Sequence, residues 1–289
     1  MYRHLIKRAS AVMEALPYLM KFHGKTVVIK YGGAAMTQEE LRQGVAQDAV
    51  LLKYVGINPV IVHGGGQFVT RYLKRKKIDT RFVSGHRVTG KRVLDAVERV
   101  LGGKVNREIV RLIKRGGGRA KGLFGKKGKV IKARKLWVKN EKGKWLDLGY
   151  TGKVVGIKFR YLRKLMKRGI IPVISPIGVG TKGRRYNINA DAAAAAVASF
   201  LKAEKLILLT DVRGVLDKKG KFISEVDAKK IKKMIKSKAI RGGMIPKVKN
   251  GLAAISNGVE SVHIVDGRVP HAVLLEIFTD RGIGTMVVR

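Results

Sequence analysis

The sequence contains no cysteine. That removes disulfides, thiolate metal sites and cysteine nucleophiles together. Its six histidines are scattered, and none falls into a metal-ligand spacing of the HExxH kind. No apolar run is long enough to cross a bilayer; the longest, residues 192–201, is about half the span required. Acid is scarce as well. The 289 residues carry 62 Lys and Arg against 20 Asp and Glu, a formal net charge of +42. Aromatics are few, at 6%, and do not interleave with the basic runs. No RRM, KH or zinc-finger signature is present, which argues against a dedicated nucleic-acid module.

What is present is enough to fold. Hydrophobic residues make up 45% of the chain, and this length buries a large core despite the charge. Many cations fall between apolar positions, as Arg163, Lys164, Lys167 and Arg168 do, or Lys229, Lys230, Lys232, Lys233 and Lys236. They mark the solvated faces of amphipathic helices. The excess predicts non-specific, salt-dependent attraction to polyanions. Residues 1–22 are basic and amphipathic, with no acid before Glu14. They read as a transit peptide or as an exposed or partner-bound helix, and the absence of a small-residue cleavage site favours the helix.

Buried strands are expected at residues 26–30 (TVVIK), 59–63 (PVIVH), 171–176 (IPVISP), 206–211 (LILLTD) and 262–266 (VHIVD). Their β-branched and aliphatic runs do not alternate with polar residues, as in strands covered on both faces. Helical patterns lie at 38–55, 91–115, 158–169, 191–202, 227–237 and 246–257. This alternation predicts an α/β fold with a largely parallel sheet. Residues 116–152, rich in Gly and Lys, read as inserted hairpins with a turn at 140–143.

Two of the strands end in glycine clusters, Gly32-Gly33 and Gly64-Gly65-Gly66. Glycine lets backbone N–H groups approach an anion closely, and a helix N-terminus after each loop adds a favourable dipole. Each alone is an ordinary strand-to-helix turn; the tandem points to phosphate. A Walker A motif is absent, since Gly122-Leu-Phe-Gly125-Lys126-Lys127 lacks its spacing and its Ser or Thr. Residues 178–183 fit GxGxxG, but no helix is expected to begin there, so they read as a flexible loop. Asn187, Asn189 and Asp191 precede an Ala-rich helix and supply more polar groups than one cap needs. Lys247 follows Gly242-Gly243 at the start of another helix.

These segments together resemble the acetylglutamate kinases of the amino acid kinase family. The matching pieces are VVIKYGGAAM (27–36), PVIVHGGG (59–66), SGHRVT (84–89), GKVNREIV (103–110), GGRAKGL (117–123), YNINADAAA (186–194), AEKLILLTDVRGVL (203–216), GGMIPKV (242–248) and HAVLLEIFTDRGIGTM (271–286). Each is ordinary, but the ordered set spans nearly the whole chain. The resemblance implies a three-layer αβα sandwich around an open, mainly parallel eight-stranded sheet. It implies an N-terminal helix (1–22), an N-terminal lobe (23–180) holding N-acetyl-L-glutamate and a C-terminal lobe (181–289) holding ATP with Mg²⁺. Lys30 and Lys247 would grip the transferring phosphoryl group, with Asp191 orienting both. Gly32, Gly33, Gly64 and Gly65 would bind phosphate. Gly65, Gly66, Arg87, Asn187 and Asn189 would hold the amino-acid substrate. Thr210, Asp211, Gly214 and Lys247 would lie along the nucleotide. Mg²⁺ would ride on the ATP phosphates, with no dedicated protein metal site.

The N-terminal segment and the C-terminal ending resemble the arginine-inhibited subgroup, whose extra helix interlocks dimers into a hexameric ring. Tyr18, Lys205, Glu276 and Gly284 are the positions implied for arginine. A cytoplasmic setting follows, with a plastid as the alternative, because KYGGAAM is similar to plant and cyanobacterial members. Three departures stand out. Gln67 replaces the usual proline after HGGG, Gly122–Lys127 replaces a Gly-Leu-Ser-Gly-Lys-Asp stretch, and Gly90-Lys91-Arg92 replaces an acidic helix start. Two rival readings remain. One is a kinase acting on glutamate or aminoadipate attached to an acidic carrier protein, which a basic surface suits. The other is a charge-driven nucleic-acid-binding protein with a vestigial kinase fold.

Overall fold

The computed structural model describes residues 2–125, 128–139, 143–280 and 282–289. Lys126 and Lys127 of the glycine–lysine stretch, residues 140–142 of the expected hairpin turn, and Arg281 of the C-terminal motif lie outside the described residues.

Eight strands form the central sheet: β1 (Thr26–Tyr31), β2 (Asn58–His63), β3 (Arg119–Leu123), β4 (Ile170–Ile174), β5 (Lys205–Thr210), β6 (Glu225–Val226), β7 (Ser261–Asp266) and β8 (Thr285–Val287). Their order is β6-β8-β7-β5-β1-β2-β4-β3. Neighbours run parallel except β7 and β8. The uninterrupted aliphatic runs arise because helices cover both faces. Val28, Val60 and Leu208 pack into one core, while Ile29, Ile61 and Ile207 pack into the other. Ile29 lies in register with Ile61 on one side and Ile207 on the other. Each such side chain, fully buried, stabilises the fold by about 1.5–3 kcal/mol. The result is the expected αβα sandwich, with β1 near its middle.

Residues 116–152 do more than form hairpins. Arg119–Leu123 is the edge strand of the main sheet, and its alternation of exposed cations with less exposed residues suits that position. The hairpin Ile131–Lys139/Trp145–Ile157 then closes a small barrel with Ile177–Val179 and Arg185–Asn187. The GxGxxG stretch is the tight connection between these last two antiparallel strands, and it carries only a single 3₁₀ turn, Thr181–Gly183, with no α-helix beginning there.

The helices follow their apolar periodicity, with three differences. The expected helix at 91–115 is continuous but passes through a π-helical segment, Glu98–Val105, between Lys91–Val97 and Asn106–Arg115. Two helices gave no readable pattern, Gly66–Arg75 and Ala272–Ile277. In the first only Val69 and Leu73 are buried. The N-terminal helix, Arg3–Phe22, leaves Leu5, Ile6, Val12, Met13 and Met20 exposed and buries Phe22 at its far end. Among the described residues no helix is long and apolar enough to cross a membrane.

Candidate active site

β1 and β2 end side by side, Tyr31 level with His63, so their glycine loops face the same space. Gly33 has φ +67° and Gly65 φ +122°, in the left-handed region that favours glycine. A Cβ on Gly65 would come within 2.9 Å of Leu101, and one on Gly33 would strike the Asp211 carboxylate. The second loop is pinned from beneath. Buried His63 bonds the Gly64 carbonyl through Nδ1 at 2.9 Å, and Asn106 Nδ2 reaches its Nε2 at 3.1 Å. Burial pushes the His63 pKa down to about 4, so the ring stays neutral under the loop.

The loops form one wall of a cavity of about 250 Å³. Lys30 lines it at the end of β1, as do Arg87, Asn187, Asn189 and Asp191. Asp191 bridges two lysines. Its Oδ1 lies 3.1 Å from Lys30 Nζ, and its Oδ2 accepts from Lys247 Nζ at 2.9 Å. Burial pushes the Asp191 pKa up, but the two ammonium groups outweigh it and hold the carboxylate below its ordinary value. Burial pulls Lys30 down, against the attraction of Asp191. Lys247 comes from the first turn of the helix Met244–Ser256, where Pro246 is tolerated.

The cap of the Ala-rich helix is Asn189, not Asp191. Its side-chain oxygen accepts from the backbone N–H of Asp191 at 2.9 Å and of Ala192 at 3.1 Å. That division of labour leaves the Asp191 carboxylate free for the lysines.

Arg87 is buried beside the second glycine loop. Its Nη2 donates to Thr70 Oγ1 at 2.7 Å and to the Gly66 carbonyl at 3.1 Å, and its guanidinium stacks 4.6 Å from the Phe82 ring centre. Burial pulls its pKa down, yet a guanidinium remains charged at any physiological pH. Thr89 and Thr151 both donate their hydroxyls to the Arg87 carbonyl, at 2.8 and 2.6 Å. Asn187 Nδ2 in turn donates to Thr89 Oγ1 at 3.2 Å. These supports were not legible in the sequence. Thr151 arrives from a distant strand, and Thr70 sits on a helix without a readable pattern.

None of the four nucleotide positions lines the cavity, and of them Lys247 pairs with a residue that does, Asp191. Thr210 ends β5; Asp211 accepts from the backbone N–H of Ala34 in the first glycine loop; Gly214 packs against Thr285 and Phe222. Gln67 Nε2 donates to the Gly33 carbonyl at 3.1 Å. The four arginine positions gather away from the cavity, around the end of the first helix. Tyr18 donates to Asp280, which raises its pKa. Lys205 Nζ lies 3.1 Å from His263 Nε2 and stacks over Phe22. Glu276 meets His263 Nδ1 at 2.6 Å and accepts from the backbone N–H groups of Ile283 at 2.8 Å and Gly284 at 2.9 Å. Burial pushes Glu276 up, but these partners keep its carboxyl below the usual range. No cluster of three or more His, Asp or Glu suited to a metal ion occurs among the described residues.

Residues 25–266 match the amino acid kinase family. The chain belongs to that family. Within the family it is similar to the acetylglutamate kinase of Syntrophobacter fumaroxidans, at 51% identity covering 99% of this chain and 97% of the relative. It is also 50% identical to that of Hahella chejuensis, over 97% of this chain and 95% of the relative. Its fold overlays an N-acetylglutamate synthase from Neisseria gonorrhoeae, solved with coenzyme A and N-acetyl-glutamate, with a TM-score of 0.86 at 25% identity. That match covers 97% of this chain but 63% of the synthase. The same synthase solved with coenzyme A and L-arginine gives 0.81, again at 25% identity, covering 97% of this chain and 65% of the synthase.

Proposed function

We propose that this kinase transfers the γ-phosphoryl group of ATP to the side-chain carboxylate of N-acetyl-L-glutamate. The product is N-acetyl-L-glutamyl 5-phosphate, the second step of arginine biosynthesis by the acetylated route. The Lys30–Asp191–Lys247 bridge, opening onto two glycine loops with Arg87 in the same cavity, carries the proposal. Near-full-length identity to acetylglutamate kinases supports it.

In the proposed reaction a carboxylate oxygen of the substrate bonds to the γ-phosphorus as the bond to the ADP oxygen breaks. The attacking group is already ionised, so no general base is needed, and catalysis is positioning plus charge neutralisation. Lys30 and Lys247 offset the charge gathering on the phosphoryl oxygens, each supplying about 3–4 kcal/mol as comparable preorganised donors do. Asp191 sets their spacing. Backbone N–H groups at Gly33 and Gly65 receive phosphoryl oxygens. Arg87 takes the α-carboxylate by a bidentate fork, and Asn187 flanks it. Mg²⁺ arrives on the nucleotide, and Thr210, Asp211 and Gly214 border the nucleotide path.

The division into an amino-acid lobe (23–180) and a nucleotide lobe (181–289) belongs to the same reading. So does feedback inhibition by L-arginine around Tyr18, Lys205, Glu276 and Gly284. The exposed apolar face of the first helix suits a homo-oligomer, a dimer or a hexameric trimer of dimers. The bacterial relatives support a cytoplasmic rather than a plastid setting.

A coupled assay tests the reaction: ADP is expected from ATP only with N-acetylglutamate present. Lys30→Ala and Lys247→Ala are each expected to lower kcat by about 10²–10³. Turnover confined to a carrier-protein-linked substrate would overturn this reading.

A further inference from the structure

The chain has two tryptophans, and both sit exposed on the barrel hairpin Ile131–Lys139/Trp145–Ile157. Trp137 is 48% exposed and Trp145 58%. Large aromatics so open on a folded domain are a costly arrangement in water and mark an interaction surface when they cluster. Here they do cluster. Lys139 lies level with Trp145, and Trp137 level with Asp147 on the opposing strand. A lysine stacks on each ring: Lys135 Nζ stands 4.9 Å from the Trp137 centre, and Lys139 Nζ 5.0 Å from that of Trp145. Exposed Lys132, Arg134 and Lys153 extend the basic surface along the same hairpin. Asp147 is its one nearby carboxylate on these strands, and Lys135 already pairs with it at 2.5 Å. Lys135, Trp137 and Lys139 alternate in the sequence, and the strand pairing brings Trp145 level with Lys139. The expectation that no aromatics interleave with cations fails at this hairpin.

We propose that this face binds single-stranded nucleic acid, with bases stacking on Trp137 and Trp145 and phosphates held by the lysines around them. Three features favour that partner. The rings are presented singly, with cations beside each rather than an aliphatic patch around them, as a stacking platform for bases requires. The surrounding charge is almost wholly positive, complementary to a phosphate backbone. Lys135 and Lys139 sit on the ring faces with flexible stems, so they can swing outward to phosphates and release those faces to bases. An acidic protein would match the charge but leaves the flat rings unused. The inference does not depend on the proposed reaction, whose cavity uses other side chains.

Both tryptophans lie on this face, so intrinsic fluorescence reads it directly. Full-length protein titrated with (dT)20 is expected to show quenching and salt-dependent binding. An abasic oligonucleotide of equal length is expected to bind at least about fivefold more weakly, since stacking on each ring contributes separately from charge. The double variant Trp137→Ala/Trp145→Ala, followed by anisotropy of a labelled (dT)20, is expected to lose about tenfold or more in affinity. Trp137→Phe/Trp145→Phe is expected to restore most of it, and ATP turnover should be unchanged in both. Equal binding of (dT)20 and the abasic strand, with no loss in the alanine variant, would reduce the site to charge alone and overturn the proposal. Quenching by phosphatidylserine vesicles but not by (dT)20 would assign the face to membranes instead and overturn it equally.

Discussion

The side-chain amide of Gln67 donates to the Gly33 carbonyl at 3.1 Å, so the second glycine loop holds the first. The chains this one resembles usually carry proline there, which has no donor to offer. Gln67 follows the first residue of its helix, and proline is compatible with a first turn. Gln67→Pro and Gln67→Met therefore remove the tie without breaking the helix. One hydrogen bond contributes about 1 kcal/mol. The expected outcome is a roughly fivefold rise in the KM for ATP with kcat within about twofold, read in the coupled assay; a matching loss in thermal stability would instead make the tie merely structural.

Asp48 and His63 oppose one another across the acid range. Asp48 is fully buried, and burial raises its pKa from 3.8 to about 6 even though it bonds His271 at 2.6 Å. The folded chain thus holds that proton more tightly than the unfolded one, and stability falls as pH rises from about 4 to 6. His63 is depressed from 6.5 to about 4, so the unfolded chain binds its proton more tightly and stability rises over nearly the same interval. Asp48→Asn removes the first contribution alone. Relative to wild type, its stability is expected to improve by roughly 3 kcal/mol between pH 4 and 6.5. Urea titrations at several pH values read this slope, whatever constant offset the substitution adds.

Glu276 is buried with three donors aimed at it, His263, Ile283 and Gly284. Its removal leaves buried groups unpaired, at a cost of about 1–3 kcal/mol. In the wild-type protein L-arginine is expected to raise Tm and to lower turnover. Glu276→Ala is expected to lower Tm and to abolish both responses; an unchanged inhibition curve would separate this cluster from any arginine effect.

Assembly is expected to depend on salt. Subunits of +42 repel one another, and screening shortens that repulsion to about 8 Å at physiological ionic strength. Sedimentation velocity is expected to show larger species at 300 mM than at 20 mM salt. Deleting residues 1–22, whose exposed Leu5, Ile6, Val12 and Met13 have no cover within one subunit, is expected to remove the largest species at both.

The central strands were legible because burial on both faces writes itself as continuous aliphatic sequence. Lys30 and the glycine loops were legible for the same reason, since they directly follow such strands. The edge strands Arg119–Leu123 and Glu225–Val226 were not, nor was the three-residue Thr285–Val287 beside the latter, being short and mixed in composition. Asp191 could be singled out but not distinguished from a cap by sequence alone; the distance to two lysines decides it, and Asn189 takes the cap. Thr70, Phe82, Thr89 and Thr151 around Arg87 had no local signal, because their common purpose exists only after distant segments meet. The π-helical segment likewise shows no change of periodicity that a sequence reading detects.

β1 is hydrogen-bonded along both edges, to β2 and to β5. Lys30 therefore sits on a strand held from both sides. Lys247 does not. It rides on a helix entered through exposed Gly242, at φ +56°, and Gly243. The proposed grip on the phosphoryl group thus pairs one lysine on the central sheet with one on a helix that follows two glycines. Under the proposed reaction, parting Lys247 from Asp191 leaves every rung of the sheet closed, so a change at Gly242 or Gly243 is expected to alter product release before it alters the core.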